Sequence, residues 1–129
     1  MITMTKTFAI EVAHHFPFMP EGSMHQRLHG HSYYIDLTVT GNLDRFGFIC
    51  DFEALDRACE EIKVGLDHQL LNDVIGSSPS MEKLAVYVAR VFQEGQKTDG
   101  ISYILVKDVE LVSVEVYRPS VGQRVKFNA

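Results

Sequence analysis

The sequence predicts an α+β fold: a four-stranded antiparallel sheet with two helices on one face, in the order ββααββ. Three observations predict it. Early and late segments alternate apolar and polar residues, the period-two mark of a strand with one buried face. Between them, two segments repeat apolar residues at spacings of three and four, as a helix with one buried stripe does. No internal repeat or linker divides the 129 residues, a length that suits one core, so residues 1–129 read as a single domain.

The first strand runs from Thr5 to Ala13, with Phe8, Ile10 and Val12 on one face and Thr7, Ala9 and Glu11 on the other. The second, Ser32 to Gly41, sets Tyr33, Ile35, Leu37 and Val39 against Asp36, Thr38 and Thr40. The loop between them holds Pro17, Pro20, Gly22 and Gly30 and is long for a hairpin, which points to function. Asp51 is placed to cap a helix whose stripe is Phe52, Leu55, Cys59, Ile62 and Leu66, ending near Gly65. A second helix starts at Ser80 or Met81 after Pro79 and runs to about Gln93. Its stripe is Met81, Leu84, Ala85, Val88 and Phe92, and Gly95 is expected to stop it. Two strands close the chain, Ile101 to Lys107 and then Leu111 to Arg118, the latter with Val112, Val114 and Val116 on its apolar face. Gln123 to Phe127 is a candidate for a short further strand.

Composition narrows the function classes. Hydrophobic residues make up 46% of the chain and charged ones 22%, enough apolar material for a core and too much for disorder. The net charge of -5 argues against a partner bound through bulk positive charge, so neither nucleic acid nor an anionic membrane is expected. No stretch approaches the roughly 18 apolar residues of a membrane span. Cys50 and Cys59 sit in an apolar run and a helical stripe rather than in a disulfide framework, and the start of the chain has no apolar leader. A cytoplasmic location is the expectation.

Histidine is the anomaly, with five of the six falling between His14 and His31. His14 continues the parity of Phe8, Ile10 and Val12, and His29 and His31 share the parity of Tyr33 and Ile35. In an antiparallel pair those ends meet, so the three imidazoles converge on the inward face, with Gly30 expected to let the chain bend between the last two. Three neutral imidazoles suit zinc and leave one position open for water or substrate. The plainer alternative is a set of surface or capping histidines. The same spacing also suits hydration or hydrolysis.

Five motifs, in order along nearly the whole chain, resemble the 6-pyruvoyltetrahydropterin and 6-carboxytetrahydropterin synthase family. Phe8-Ala9-Ile10-Glu11-Val12-Ala13-His14 resembles its first strand ending in a zinc ligand, and Arg27-Leu28-His29-Gly30-His31-Ser32 its paired ligands. Gly47-Phe48-Ile49-Cys50-Asp51-Phe52-Glu53-Ala54-Leu55 resembles its entry to the first helix. Leu66-Asp67-His68-Gln69-Leu70-Leu71-Asn72 and Pro79-Ser80-Met81-Glu82 resemble the two motifs that follow. The resemblance implies the tunnelling fold (T-fold), in which subunits join their sheets into a barrel, usually a homohexamer built as a dimer of trimers with sites between subunits. It also implies a zinc-dependent lyase acting on 7,8-dihydroneopterin triphosphate. In that chemistry zinc acidifies the side-chain hydroxyls, a base moves protons along the side chain, and triphosphate leaves. The 6-carboxytetrahydropterin branch also releases acetaldehyde.

Residue by residue, the resemblance implies His14, His29 and His31 as zinc ligands and Asp67 with His68 as the acid-base pair. For Asp67, a cap on a short turn is the alternative. Two positions depart from the family. Its catalytic cysteine falls on His25, which is open to three roles: base, fourth zinc ligand, or none. The acid that anchors the pterin falls on Asp108 when Ile101–Asp108 is aligned with the family's third strand. A rival register through Val114-Glu115-Val116-Tyr117 puts Arg118 there but leaves the preceding strand without a counterpart, so Asp108 is preferred. Glu115 is expected at the surface. Arg27, Lys107 and Arg118 are candidates for the triphosphate. The replaced cysteine keeps two other functions open: a side-chain aldolase giving 6-hydroxymethyl-dihydropterin, and a non-catalytic zinc- or pterin-binding relative.

Overall fold

The computed structural model describes residues 1–97, 106 and 108–129. Its elements are β1 (Thr3–His14), β2 (His29–Thr40), α1 (Phe52–Leu66), α2 (Leu71–Val74), α3 (Met81–Lys97), β3 (Glu110–Arg118) and β4 (Gln123–Asn128). The strands form one antiparallel sheet in the order β1-β2-β3-β4. Phe8, Ile10 and Val12 of β1, Tyr33, Ile35, Leu37 and Val39 of β2, and Val114 and Val116 of β3 belong to one core with Leu55, Cys59 and Ile62 of α1 and Leu84, Val88 and Phe92 of α3. Each such side chain contributes about 1.5–3 kcal/mol on burial. A one-residue slip of β1 against β2 would turn its whole apolar row outward, which fixes the register that brings His14 opposite His29.

Both long helices start as their sequences require. The Asp51 carboxylate accepts the Glu53 N–H at 3.0 Å, and the Ser80 hydroxyl accepts the Lys83 N–H at 3.2 Å. Phe52, expected in the α1 stripe, is exposed in the first turn, and the buried row begins one turn later at Leu55. Gly95 does not stop α3; it is buried inside the helix, which continues to Lys97.

The C-terminal half differs from expectation. The strand expected over Ile101 to Lys107 lies, apart from Val106, outside the described residues. The segment expected only as a short addition is β4, a full edge strand of the described sheet. In β3, Leu111 pairs with Val39 and Ser113 with Thr38, so Val112 is an extra residue in a bulge. The bulge shifts the parity, so that Leu111 and Val114 are buried and Val112 drops out of the expected stripe.

One element was not expected from the pattern. After α1, residues 67–70 run parallel to the outer edge of β1, with His68 N–H donating to Glu11 O at 2.7 Å and Ala13 N–H donating to Gln69 O at 3.1 Å. The single turn α2 follows, and its Asn72 grips the chain just past β1: Nδ2 donates to His15 O at 2.9 Å, and Oδ1 accepts His15 N–H at 3.0 Å. This clamp sets where the long loop leaves the sheet.

Candidate metal centre

His14 and His29 are direct partners across β1 and β2, and His31 lies two residues further along the same face. Gly30 is not a bend. All of His29-Gly30-His31 is extended within β2, and the two imidazoles share a face because strand side chains alternate. Ring centroids lie 4.6 Å apart for His14 and His29, 4.8 Å for His14 and His31, and 4.9 Å for His29 and His31. One nitrogen from each falls within 4.8 Å of the others.

Hydrogen bonds decide which nitrogens are free. His14 Nδ1 is 2.9 Å from Pro79 O and His29 Nδ1 is 2.6 Å from Arg27 O. A carbonyl only accepts, so each Nδ1 carries the proton and each Nε2 keeps its lone pair. Those two Nε2 atoms face each other at 2.9 Å, an arrangement that requires a proton or a cation between them. Burial pulls His14 below the ordinary imidazole value, and burial followed by the Arg118 charge pulls His31 down to about 4. Three imidazoles with one nitrogen each gathered within 4.8 Å fit a divalent metal that favours imidazole, zinc foremost.

The triad opens into a pocket of about 370 Å³ whose wall also carries Phe16, His25, Tyr33, Glu82 and Arg118. Burial raises the Tyr33 phenol to about 12, so its hydroxyl stays protonated at neutral pH. His25 is exposed on a single 3-10 turn, Met24–Gln26, that Ser23 caps. Its carbonyl accepts Phe16 N–H at 2.9 Å, which ties the loop back on itself. Among the described residues the nitrogens close enough to share one ion are those of His14, His29 and His31, without His25.

Asp67 caps the C-terminal end of α1. Its Oδ1 accepts the Glu11 N–H at 2.8 Å and its Oδ2 lies 3.1 Å from His68 Nδ1. The Glu11 N–H, ahead of the His68 contacts, holds the Asp67 carboxyl below its ordinary value. His68 has a left-handed backbone, φ 60, and a side chain 79% exposed. The pair is assembled, but no hydrogen bond or ring contact joins it to the triad among the described residues. His68 lines a second cleft with Glu11, Ser32 and His31 at the edge of β1.

The remaining candidates divide. Asp108, φ 64, sits against Gly41 past the far end of β2, in a cleft with Met1, Ile2 and Glu110. From His31 to Gly41 at about 3.3 Å per residue, that is roughly 33 Å from the triad within one chain. Arg118, the rival position, lies in the triad's pocket. The signal was its parity, since Arg118 continues the row of Val114 and Val116. Arg27 is exposed and meets the triad through its carbonyl. Glu115 is paired with Arg124 at 2.9 Å, and that guanidinium lowers its carboxyl. Lys107 lies outside the described residues. Sequence reasoning missed the Pro79 carbonyl, the Asn72 clamp and the part played by Tyr33.

Comparisons with known proteins agree with this fold. The 6-carboxy-5,6,7,8-tetrahydropterin synthase of Bacillus subtilis is 37% identical over 71 residues, covering 54% of this chain and 46% of that protein. A putative 6-carboxy-5,6,7,8-tetrahydropterin synthase of Archaeoglobus fulgidus is 31% identical over 68 residues, covering 53% and 56%. The match thus spans about half the length of each curated relative. In fold, the Caenorhabditis elegans 6-pyruvoyl tetrahydropterin synthase superposes with a TM-score of 0.74 at 17% identity, covering 99% of this chain and 95% of that one. The Plasmodium falciparum 6-pyruvoyl tetrahydropterin synthase gives 0.61 at 15%, covering 98% and 99%. The family model for 6-pyruvoyl tetrahydropterin synthase matches residues 3–128, and with the triad in place on β1 and β2 the chain belongs to that family.

Proposed function

We propose that the chain is a zinc-dependent lyase acting on 7,8-dihydroneopterin triphosphate in the direction of 6-carboxytetrahydropterin, with 6-pyruvoyltetrahydropterin as the alternative product. The observation that carries this reading is the pair of Nε2 lone pairs of His14 and His29 aimed at each other, with His31 beside them and a pocket of about 370 Å³ in front. That volume suits a small-molecule ring system. Bound there, zinc supplies the Lewis acidity that makes a side-chain hydroxyl easier to deprotonate. His25, on the pocket wall, receives the proton. Asp67 fixes the tautomer and direction of His68 by holding Nδ1.

His68 points outward and Asp108 lies at the far end of the sheet, so either serves a triad across a subunit boundary. A homo-oligomer with sites between subunits, a hexamer of two trimers in the family's manner, follows from this reading. Its sheet edges are β1 and β4. Free Cys50 and Cys59 suit a cytoplasmic setting, and among the described residues no helix is long and apolar enough to cross a membrane.

His25 in the thiol's place favours one second reading, an aldolase that cleaves the side chain to 6-hydroxymethyl-dihydropterin. Product analysis after incubation of the zinc-loaded protein with 7,8-dihydroneopterin triphosphate separates the two. The proposal expects 6-carboxytetrahydropterin with acetaldehyde and triphosphate. 6-Hydroxymethyl-dihydropterin would establish the aldolase, and no turnover would leave a binding protein.

A further inference from the structure

Among the described residues, the inner face of the sheet carries a cation without a carboxylate partner. β3 places Val114 and Val116 in the core, and Arg118 is the next residue on that face, one step beyond the Tyr34–Tyr117 pair and so level with Tyr33. It is half-buried and lines the triad's pocket. Its hydrogen bond among the described residues is a long one, Nη1 to Gln123 Oε1 at 3.3 Å. Glu82 lines the same pocket, yet no carboxylate lies within ion-pair distance of the guanidinium among the described residues. Arg124, by comparison, sits on the opposite face with both Nε and Nη2 on Glu115.

A guanidinium has five donors and no acceptor. Whatever meets it must present acceptor atoms, and in a half-buried pocket the best acceptor is an anionic oxygen pair that takes two of those donors in parallel. Glu82, the carboxylate on the wall, does not come within ion-pair distance, and the other described groups there are not anionic oxygens. His14 and His29 have both Nδ1 protons committed to backbone carbonyls. A ring edge that offers only N–H donors would be repelled from this end of the pocket.

We propose that Arg118 is a specificity-determining residue, selecting for the pocket beside the histidine triad a ligand that carries a carboxylate or a phosphate against the end of β3. The ring attached to that anion rests on the pterin reading above; the anion site does not.

The test is a binding comparison by calorimetry on the zinc-loaded protein with three probes: 6-carboxypterin, neutral 6-hydroxymethylpterin and inorganic triphosphate. A charge-assisted bond of this kind predicts that 6-carboxypterin or triphosphate binds about 10- to 100-fold more tightly than 6-hydroxymethylpterin. Arg118→Gln removes that advantage and leaves the affinity for 6-hydroxymethylpterin unchanged. Arg118→Lys, which keeps the charge and loses the fork, restores part of it and guards against a folding defect in the first variant. The better of the two anionic probes identifies carboxylate or phosphate as the natural group. Equal affinity for charged and neutral pterins, an advantage that persists in Arg118→Gln, or no binding of any probe would overturn the proposal. If both pterins fail to bind while triphosphate binds and is lost in Arg118→Gln, the anion site stands and the pterin reading falls.

Discussion

His14 Nε2 and His29 Nε2 face each other at 2.9 Å, each with its Nδ1 tied to a backbone carbonyl. The protein thus spends two carbonyls, Pro79 and Arg27, on keeping two lone pairs aimed at one point. That is the arrangement of a metal ligand oriented by a second layer of hydrogen bonds.

The first prediction follows from it. Purified protein binds one zinc per chain, and His29→Ala lowers the affinity by more than about 100-fold with the fold intact by circular dichroism. Elemental analysis and competition with a chromogenic chelator read this. Undiminished zinc uptake in the variant would show that the triad is not the metal site.

His25 lines the pocket without joining the triad's nitrogens. His25→Ala is therefore expected to cut turnover by about 10²- to 10⁴-fold while zinc content stays at the wild-type level. A matching loss of zinc would make His25 a ligand. Unchanged turnover and zinc would leave the proton transfer to the Asp67–His68 pair.

Asp67 gives a pH-dependent contribution to stability. Its folded-state value lies below the ordinary 3.8, so the ionised form stabilises the fold above that value, and the contribution is lost as pH falls through the depressed one. Asp67→Ala removes the bond to Glu11 N–H and costs about 1 kcal/mol at pH 7. Urea melts at pH 7 and below pH 3 check this, and the gap between variant and wild type should close at the acid end.

Both thiols are held above their ordinary value in the folded state, Cys59 the more strongly buried. Burial raises the Cys59 thiol to about 12, and burial followed by Asp51 raises Cys50. Alkylation at pH 8 followed by mass spectrometry is expected to leave Cys59 unlabelled until denaturant is added, with Cys50 slow. Rapid native labelling of Cys59 would contradict its placement in the core.

Much of this was legible in the chain because the relevant signals are local. The parity of Phe8, Ile10, Val12 and His14 against His31, Tyr33 and Ile35 fixes a shared face, and the register then brings the imidazoles together. Asp51 and Ser80 announce their helices through a single hydrogen bond each. What could not be read depends on contacts between distant segments. The bulge at Val112 breaks a parity that looks unbroken in sequence, and the His68–Glu11 ladder joins residues with no pattern in common. Arg118 was visible as the continuation of the Val114 and Val116 row, yet alignment to a pattern favoured Asp108, which the fold sets at the other end of β2.

The ladder between residues 67–70 and β1 also limits how this sheet can grow. It occupies the outer edge of β1 at Glu11 and Ala13. A neighbouring strand that adds to this edge meets that obstruction and is confined to the stretch before it, from Thr3 to Ile10. The obstruction acts as an end-stop: a docking strand has one position at which it abuts residues 67–70, and sliding further is blocked. The same turn that presents His68 to solvent therefore limits the positions at which any added strand could pair with β1.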